Sequence, residues 1–304
     1  MTIAITLPEV PEKQRGIGST PLRYEDIAQD GRLRLEGVWP PIGPILWGKL
    51  DFARVLARLG EQGVRAVLTH VTLEGSDEPV SVRRRVETEV RFRLAHTVDD
   101  SGAVNRVIFD TWLELRALRA VPGRPHQEPD GPLVVAARGY GQHVFTRPAA
   151  ARGQHRVTNL TDPELEPILA RTDLIEMRSV LRLPDGAEPL DPAPRFEPQP
   201  VVFGLCHTDG NQHVNFLTYP RMAEEAALRR FSETSGNTRL LARRAQVSYR
   251  KPCFAGERMF LLLQSYLVDD EPGAVVAFYA EPRDAPASLT DAQLPHAVVR
   301  LGFR

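Results

Sequence analysis

A chain of 304 residues with 42% hydrophobic and 25% charged residues has the length of two ordinary domains and enough apolar side chains for two cores, which excludes a disordered or fibrous protein. Its 38 basic and 39 acidic residues leave a formal net charge of -1, so no global field draws it to nucleic acid or to an anionic membrane. No stretch approaches the ~18 consecutive apolar residues of a membrane helix. The first residues lack the basic start of a signal peptide, and two cysteines, Cys206 and Cys253, make no disulfide framework. The expected compartment is therefore the reducing cytoplasm.

In chain order, residues 1–17 read as an arm of proline, glycine and mixed charge. Leu33, Leu35 and Gly37 alternate with Arg32, Arg34 and Glu36, which predicts a strand with one wet face. Pro40, Pro41, Gly43 and Pro44 break the chain, and the spacing of Leu46, Leu50, Ala53, Leu56 and Ala57 predicts a helix over 46–59, with Gly60 and Gly63 as stops. Four β-rich runs follow, at 64–73, 80–95, 104–118 and 133–145, separated by turn signals such as Asp99-Asp100-Ser101-Gly102. Arg83, Arg84 and Arg85 read as a solvated strand end. One helix and a long antiparallel meander predict a helix packed on a curved sheet.

Residues 148–200 change character. Thr161-Asp162-Pro163-Glu164 reads as a capped helix start, with the helix running to about residue 171. The prolines from Pro184 to Pro200 then mark a semi-extended crossover. From Val201 the pattern restarts: a short strand at 201–205, a polar knot at 206–215 and a helix over 216–232. Strand-like runs follow at 242–249, 258–268, 273–281 and 296–303. Strand, helix and antiparallel strands thus occur in the same order twice, an α+β duplication without residue-by-residue similarity.

The chemistry concentrates in the knot, His207-Thr208-Asp209-Gly210-Asn211-Gln212-His213-Val214-Asn215. Asp209 is a candidate general base or nucleophile. The Asn211 amide both donates and accepts, and so orients a water or a carbonyl. His213 positions a proton or donates to an oxyanion. The following helix turns its positive end toward all three, where a thioester carbonyl would be polarised. A second stretch, Val247 to Glu257, carries Cys253 behind a Pro252 kink, together with Arg250 and Lys251. With Arg243 and Arg244, these cations suit the phosphates of coenzyme A or a carrier-protein arm.

Asp-Gly-Asn-Gln-His-Val-Asn, followed by Tyr219 and Glu225, resembles the signature of the plant-type acyl-ACP (acyl carrier protein) thioesterases, and Tyr249-Arg250-x-x-Cys253 resembles a second stretch of that family. The residues from Thr158 to Ala170 resemble its linker helix. The resemblance implies a tandem (double) hotdog fold, each half one central helix wrapped by a curved antiparallel sheet. Its implied parts are an N-terminal arm (1–17), a non-catalytic, pocket-shaping hotdog domain (18–147), a linker with a short helix (148–200) and a catalytic hotdog domain (201–304). It implies hydrolysis of acyl-ACP or acyl-CoA thioesters, with Asp209, Asn211, His213, Glu225 and Cys253 as catalytic candidates. Asn215, Tyr219, Arg250, Lys251 and Trp47 are the substrate-binding candidates. The partner is acyl carrier protein or a coenzyme A thioester, with a homodimer of such chains as a further expectation. No cofactor or metal is expected, and Cys206, His207 and His213 match no tetrahedral spacing. The sequence departs from the family at Phe216 in place of an asparagine, Pro252 in place of an acid, and His207 in place of an acid.

Alternatives stay open at each residue. Asp209 and Asn211 also read as a turn with a helix cap. Cys253 also reads as a small buried hydrophobe. Glu225 also reads as an exposed helix residue, with Glu224 competing for any role. The first half's helix entry has no acid or histidine between Pro40 and Trp47, and Lys49 and Asp51 follow without a histidine, so that half reads as catalytically silent. Other hotdog chemistries, such as dehydration or cyclisation of a carrier-bound chain, and a non-catalytic acyl-carrier-binding role are the rival functions.

Overall fold

The computed structural model describes residues 5–48, 52–124, 126–129, 131–236, 239–281, 284–291 and 293–304. Contacts divide the chain into two compact units, one ending at Ile175 and the other spanning Glu176–Arg304. Among the described residues no helix is long and apolar enough to cross a membrane.

The first unit is an antiparallel sheet carrying a helix. Strands β1 (Arg15–Pro21), β2 (Arg65–Gly75), β3 (Arg85–Val98), β4 (Val104–Leu118) and β5 (Leu133–Thr146) are ordered β1-β3-β4-β5-β2. The expected arm therefore ends in an edge strand. Gly16, Gly18 and Pro21 hide it from a propensity reading, and an edge is where a sheet tolerates proline. The alternation at 32–37 makes no strand. Leu33 forms an isolated bridge with Ile27, Leu35–Gly37 is a single 3-10 turn, and Arg32 turns outward to Asp30 and Asp77.

The expected helix over 46–59 is interrupted. Helix α1 (Ile42–Leu46) starts within the proline-rich stretch, and α2 (Phe52–Glu61) follows, while Lys49, Leu50 and Asp51 lie outside the described residues. Phe52, Val55 and Leu59 form the buried stripe of α2. Gly63 (φ 75) ends the helix, and the Val64 N–H donates to the Leu59 carbonyl at 2.9 Å. Phe52 stacks on Phe92 of β3 (4.6 Å between centroids) and lies tilted against Phe109 of β4 (4.9 Å), with Phe145 and His143 of β5 beyond. Trp39 lies against β5, where a Cβ on Gly141 would sit 2.5 Å from its ring, so only glycine allows that approach.

The opposite face of this sheet holds a buried polar cluster beside Trp112. Asp110 has no exposure, accepts the Tyr140 hydroxyl at 2.7 Å and lies 3.6 Å from Arg93. Burial raises its pKa. Beside it, the Gln142 amide donates to the Asp173 carbonyl and its oxygen accepts the Ile175 N–H, tying the outgoing chain to the sheet.

The helix expected from 161 to 171 is absent. The Asp162 carboxylate caps only its own turn, accepting the Glu164 N–H at 3.0 Å, and is gripped by Arg58 of α2 at 2.7 and 2.9 Å. Pro167, four residues after Pro163, supplies no N–H for the Pro163 carbonyl and would clash with it, so the turn cannot propagate. The linker's helix is instead α3 (Met177–Leu181).

The second unit has its own antiparallel sheet, made of β9 (Ala242–Tyr249), β10 (Arg258–Val268), β11 (Glu271–Tyr279) and β12 (Ala297–Phe303) in the order β9-β12-β11-β10. Short strands β6 (Glu188–Pro189), β7 (Arg195–Phe196) and β8 (Val201–Val202) pair with β10. Helix α4 (Thr218–Ser235) packs on this sheet through Tyr219, Met222, Ala223, Ala226, Ala227 and Phe231, and ends at Gly236 (φ 68). A separate core joins Val180 and Leu181 of α3 to Leu262, Val275, Ala277 and Val298 of the sheet. With both faces covered, β10 to β12 are near-continuous apolar runs.

Candidate active site

The polar knot before α4 is a loop wired to itself. A 3-10 turn, Leu205–His207, follows β8, and the His207 Nδ1 accepts the Gly204 N–H at 2.9 Å. The His207 carbonyl then accepts the Asn215 N–H (2.8 Å) and the Thr218 hydroxyl (3.3 Å), closing the loop onto the helix start. Thr208 and Val214 form a bridge, and the Asp209 N–H donates to the His213 carbonyl. Gln212 takes a positive φ of 65° to make the tip, a conformation that is uncommon for a residue with a side chain.

Asp209 is held from two sides. Its Oδ1 accepts the Asn211 N–H at 2.8 Å and its Oδ2 accepts the Asn215 side-chain amide at 3.2 Å. The Asn215 Oδ1 in turn accepts the Leu217 N–H at 2.9 Å and its carbonyl accepts the Thr218 N–H. Asn215 is thus the residue that caps the entry to α4, while Asp209 makes an Asx turn of its own. Fixed donors leave the remaining carboxylate lone pairs with a defined direction. The Asn211 side chain is exposed, and the half-buried His213 ring has its Nδ1 3.4 Å from the Val214 carbonyl. Val202, Leu205 and Phe254 leave apolar surface exposed on the segments beside the loop.

The second predicted stretch meets the first through one hydrogen bond, from the Val214 N–H to the Cys253 carbonyl at 2.7 Å. The Cys253 side chain is sealed, with no exposure. Its Sγ lies 3.6 Å from the His296 Nδ1. Burial pushes the thiol up to about 11, and burial also raises the Tyr219 hydroxyl. A thiol held protonated and closed off has the surroundings of a packing cysteine, not of a nucleophile. The ring of Tyr219 packs edge-on to Phe203, Tyr249 and Phe278, so this residue is core as well as candidate site.

The other candidates stand apart from the loop's polar atoms. Glu225 is exposed and pairs with Arg221 one helical turn back, whereas Glu224 accepts the Ala242 N–H and ties α4 to β9. Arg250 donates to the carbonyls of Pro295 and Leu294, both at 2.7 Å, which spends its guanidinium on the approach to β12. Lys251 is exposed, Arg243 and Arg244 are half-buried in β9, and Trp47 is exposed in the first unit. His296 was not among the sequence candidates. Burial, then Lys251 and Arg250, lower its pKa. It meets Cys253 through the β9–β12 pairing, which brings the start of β12 beside the end of β9, and no local pattern announces that. Among the described residues no group of three or more His, Cys, Asp or Glu could hold a metal ion.

The first unit contains a cavity of about 540 Å³. Its floor is apolar, with Phe52 and Val55 of α2 and Phe92 and Leu94 of β3. The chain around Lys13 and the segment 164–170 form its walls.

No protein-family model matches this sequence, and none of the curated proteins does. Solved structures do match. A Lactobacillus plantarum protein assigned as an oleoyl thioesterase is 14% identical, with a TM-score of 0.59 over 95% of this chain and 96% of that one. An acyl-ACP thioesterase from Bacteroides thetaiotaomicron is 14% identical, with a TM-score of 0.51 over 96% of this chain and 99% of that one. The 12:0-ACP thioesterase of Umbellularia californica is 12% identical, with a TM-score of 0.53 over 96% of this chain and 94% of that one. Over nearly its whole length the chain therefore has the hotdog fold that acyl-ACP thioesterases share.

Proposed function

We propose that this chain hydrolyses acyl thioesters, carried on acyl carrier protein or coenzyme A, to a free acid and a thiol. The observation that carries the reading is the Asp209 carboxylate, oriented by Asn211 and Asn215 in the loop that opens α4. In this mechanism Asp209 takes a proton from a water molecule, and the resulting hydroxide adds to the thioester carbon. The oxyanion develops near the positive end of α4, with Asn211 and His213 as further donors. The carbon–sulfur bond then breaks and the thiolate takes up the proton. Exposed Val202, Leu205 and Phe254 give an acyl group an apolar approach. Arg250 has its guanidinium engaged, which leaves Lys251 as the cation for a phosphate.

We read the two units as a tandem of hotdog domains, 18–147 and 201–304, joined by 148–200. Each has one long helix on an antiparallel sheet, which supports that division. The first half then shapes the pocket, and its cavity with an aromatic floor supports the role. Asp209→Asn keeps the acceptor for the Asn211 N–H, loses the one for the Asn215 amide, and removes the base. Thiol release from a panel of acyl-CoA and acyl-ACP thioesters should fall by about 10²–10⁴, against a loss of only about 1 kcal/mol in stability. Wild-type turnover in that variant would overturn the assignment.

A second reading, binding of an acyl carrier without catalysis, is favoured by Pro252 where the family has an acid and by the sealed Cys253. Affinity for acyl-ACP with no thiol release from the wild-type chain would select it.

A further inference from the structure

The walls of the first-half cavity differ in how they are held. The segment Asp162–Thr172, which contributes the wall from Glu164 to Ala170, is anchored at both ends. At one end the buried Asp162 takes two hydrogen bonds from Arg58. At the other, His96 of β3 donates its N–H to the Ala170 carbonyl, accepts the Thr172 N–H, and sets its ring on the Ile168 carbonyl at 3.2 Å. Between these anchors lies Pro163-Glu164-Leu165-Glu166-Pro167, with no helix or strand, prolines at both ends, and Leu165 half-buried toward the cavity. Within it Glu164 pairs with Arg58 at 3.0 Å and the Leu165 N–H donates to the Asp162 carbonyl at 3.1 Å, and beyond these Glu166 pairs with Lys13 on the opposite wall, the two side chains being 70% and 54% exposed.

The contrast is one of strength. A buried carboxylate that loses its guanidinium is left uncompensated, so the Arg58 anchor is firm. An exposed lysine–glutamate pair is worth little and is screened by salt. The prolines limit how the span bends, so it moves as a short stiff strap and not as a slack loop. Lifting it uncovers Leu165 together with the Phe52, Phe92 and Leu94 floor, an apolar slot with a charged rim. Closing it covers that surface again.

We propose that Pro163–Pro167 is a lid over the first-half cavity, clasped by Lys13–Glu166, and that it lifts to admit the apolar end of an amphipathic acyl ligand. The ligand class rests on the thioesterase reading, whereas the lid rests on the geometry of the first unit alone.

The test uses the full chain with Cys206→Ser, Lys13→Cys and Glu166→Cys. The two new thiols are joined by a short bis-maleimide, or capped separately with N-ethylmaleimide as the unlinked control. Cys253 does not compete, because it has no exposure and its thiol is pushed up to about 11. Uptake of cis-parinaric acid is followed by its fluorescence in stopped flow. The linked protein should take up the probe about tenfold more slowly or worse than the unlinked control, as expected when a lid gates entry. Glu166→Lys, which removes the clasp and leaves the anchors, should speed uptake roughly threefold to fivefold at low salt and flatten its salt dependence, the most that an exposed pair supplies. Equal uptake by linked and unlinked protein, or no uptake by wild type, would overturn the lid. A chain whose uptake depends on the clasp but which releases no thiol from any thioester keeps the lid and loses the hydrolase reading. A chain that hydrolyses thioesters at the same rate linked and unlinked loses only the lid.

Discussion

The segments that lead into the long helices of the two halves occupy the same place in the chain order and have opposite chemistry. Before α2, the stretch from Val38 to Leu46 is aliphatic and proline-rich, and Val38, Trp39, Ile42, Ile45 and Leu46 are all buried. Before α4, the stretch from Gly204 to Asn215 is polar, and its groups satisfy one another across the loop. The same architecture therefore accepts either filling. An apolar entry adds to the core and leaves nothing to react. A polar entry gives up that burial, needs a closed set of hydrogen bonds to compensate, and leaves a half-buried carboxylate.

On this division Asp209→Asn, the substitution with the largest expected effect, costs turnover far more than stability. Trp39→Ala is its mirror image. It opens a cavity against Gly139 and Gly141, with an expected cost of about 3–5 kcal/mol, read by urea unfolding. The catalytic constants of the fraction that remains folded should be unchanged, and a Trp39 variant that is stable but inactive would break the comparison.

Acid sharpens it next. The His143 residue keeps a little exposure, but its imidazole is enclosed beside Phe109 in the first half, and burial brings its pKa down to about 4. A depressed histidine is neutral in the fold while the unfolded chain is protonated below about 6.5, so the unfolded state binds more protons in that window. Stability should fall as pH drops from about 6.5 to about 4 and then level off for this group. His143→Gln should flatten that slope when unfolding midpoints are measured across the range.

Asn215→Ala tests whether the polar entry works as a unit. It removes the cap on the Leu217 N–H and the amide on Asp209 together, so about 1 kcal/mol of stability and a measurable part of kcat should be lost in one variant. Loss of stability alone would make Asn215 a cap and nothing more. The smallest effect is expected at Glu225→Ala, which breaks only an exposed pair with Arg221. Changes within about 0.5 kcal/mol and about twofold in kcat/KM are expected, whereas Glu224→Ala should cost more, because it frees the Ala242 N–H.

The long strands and the second-half helix were legible in the sequence because each carries its own period. The runs 104–118, 242–249 and 258–268 are strands over those same residues, and α4 begins two residues beyond the expected start. Edge and loop elements were not legible in the same way. β1 has little strand propensity of its own and exists because β3 offers a free edge. The helix expected at 161–171 fails because Asp162 finds Arg58, a partner more than a hundred residues earlier, and because Pro167 prevents propagation. Of the candidate site, Asp209, Asn211, His213 and Asn215 could be read from one contiguous motif. The division of labour among them could not, since capping fell to Asn215 and burial to Cys253.

What the sequence determined by itself was local and periodic: which segments bury a face, where the polar knot interrupts them, and which residue types it holds. Only the tertiary structure decided which acid is exposed and which is spent, that His296 meets Cys253, and that Glu166 meets Lys13 across a separation of 153 residues. The reason is that periodicity is written into neighbouring residues, whereas desolvation, hydrogen-bond satisfaction and ion pairing depend on which distant groups the fold brings within a few ångströms.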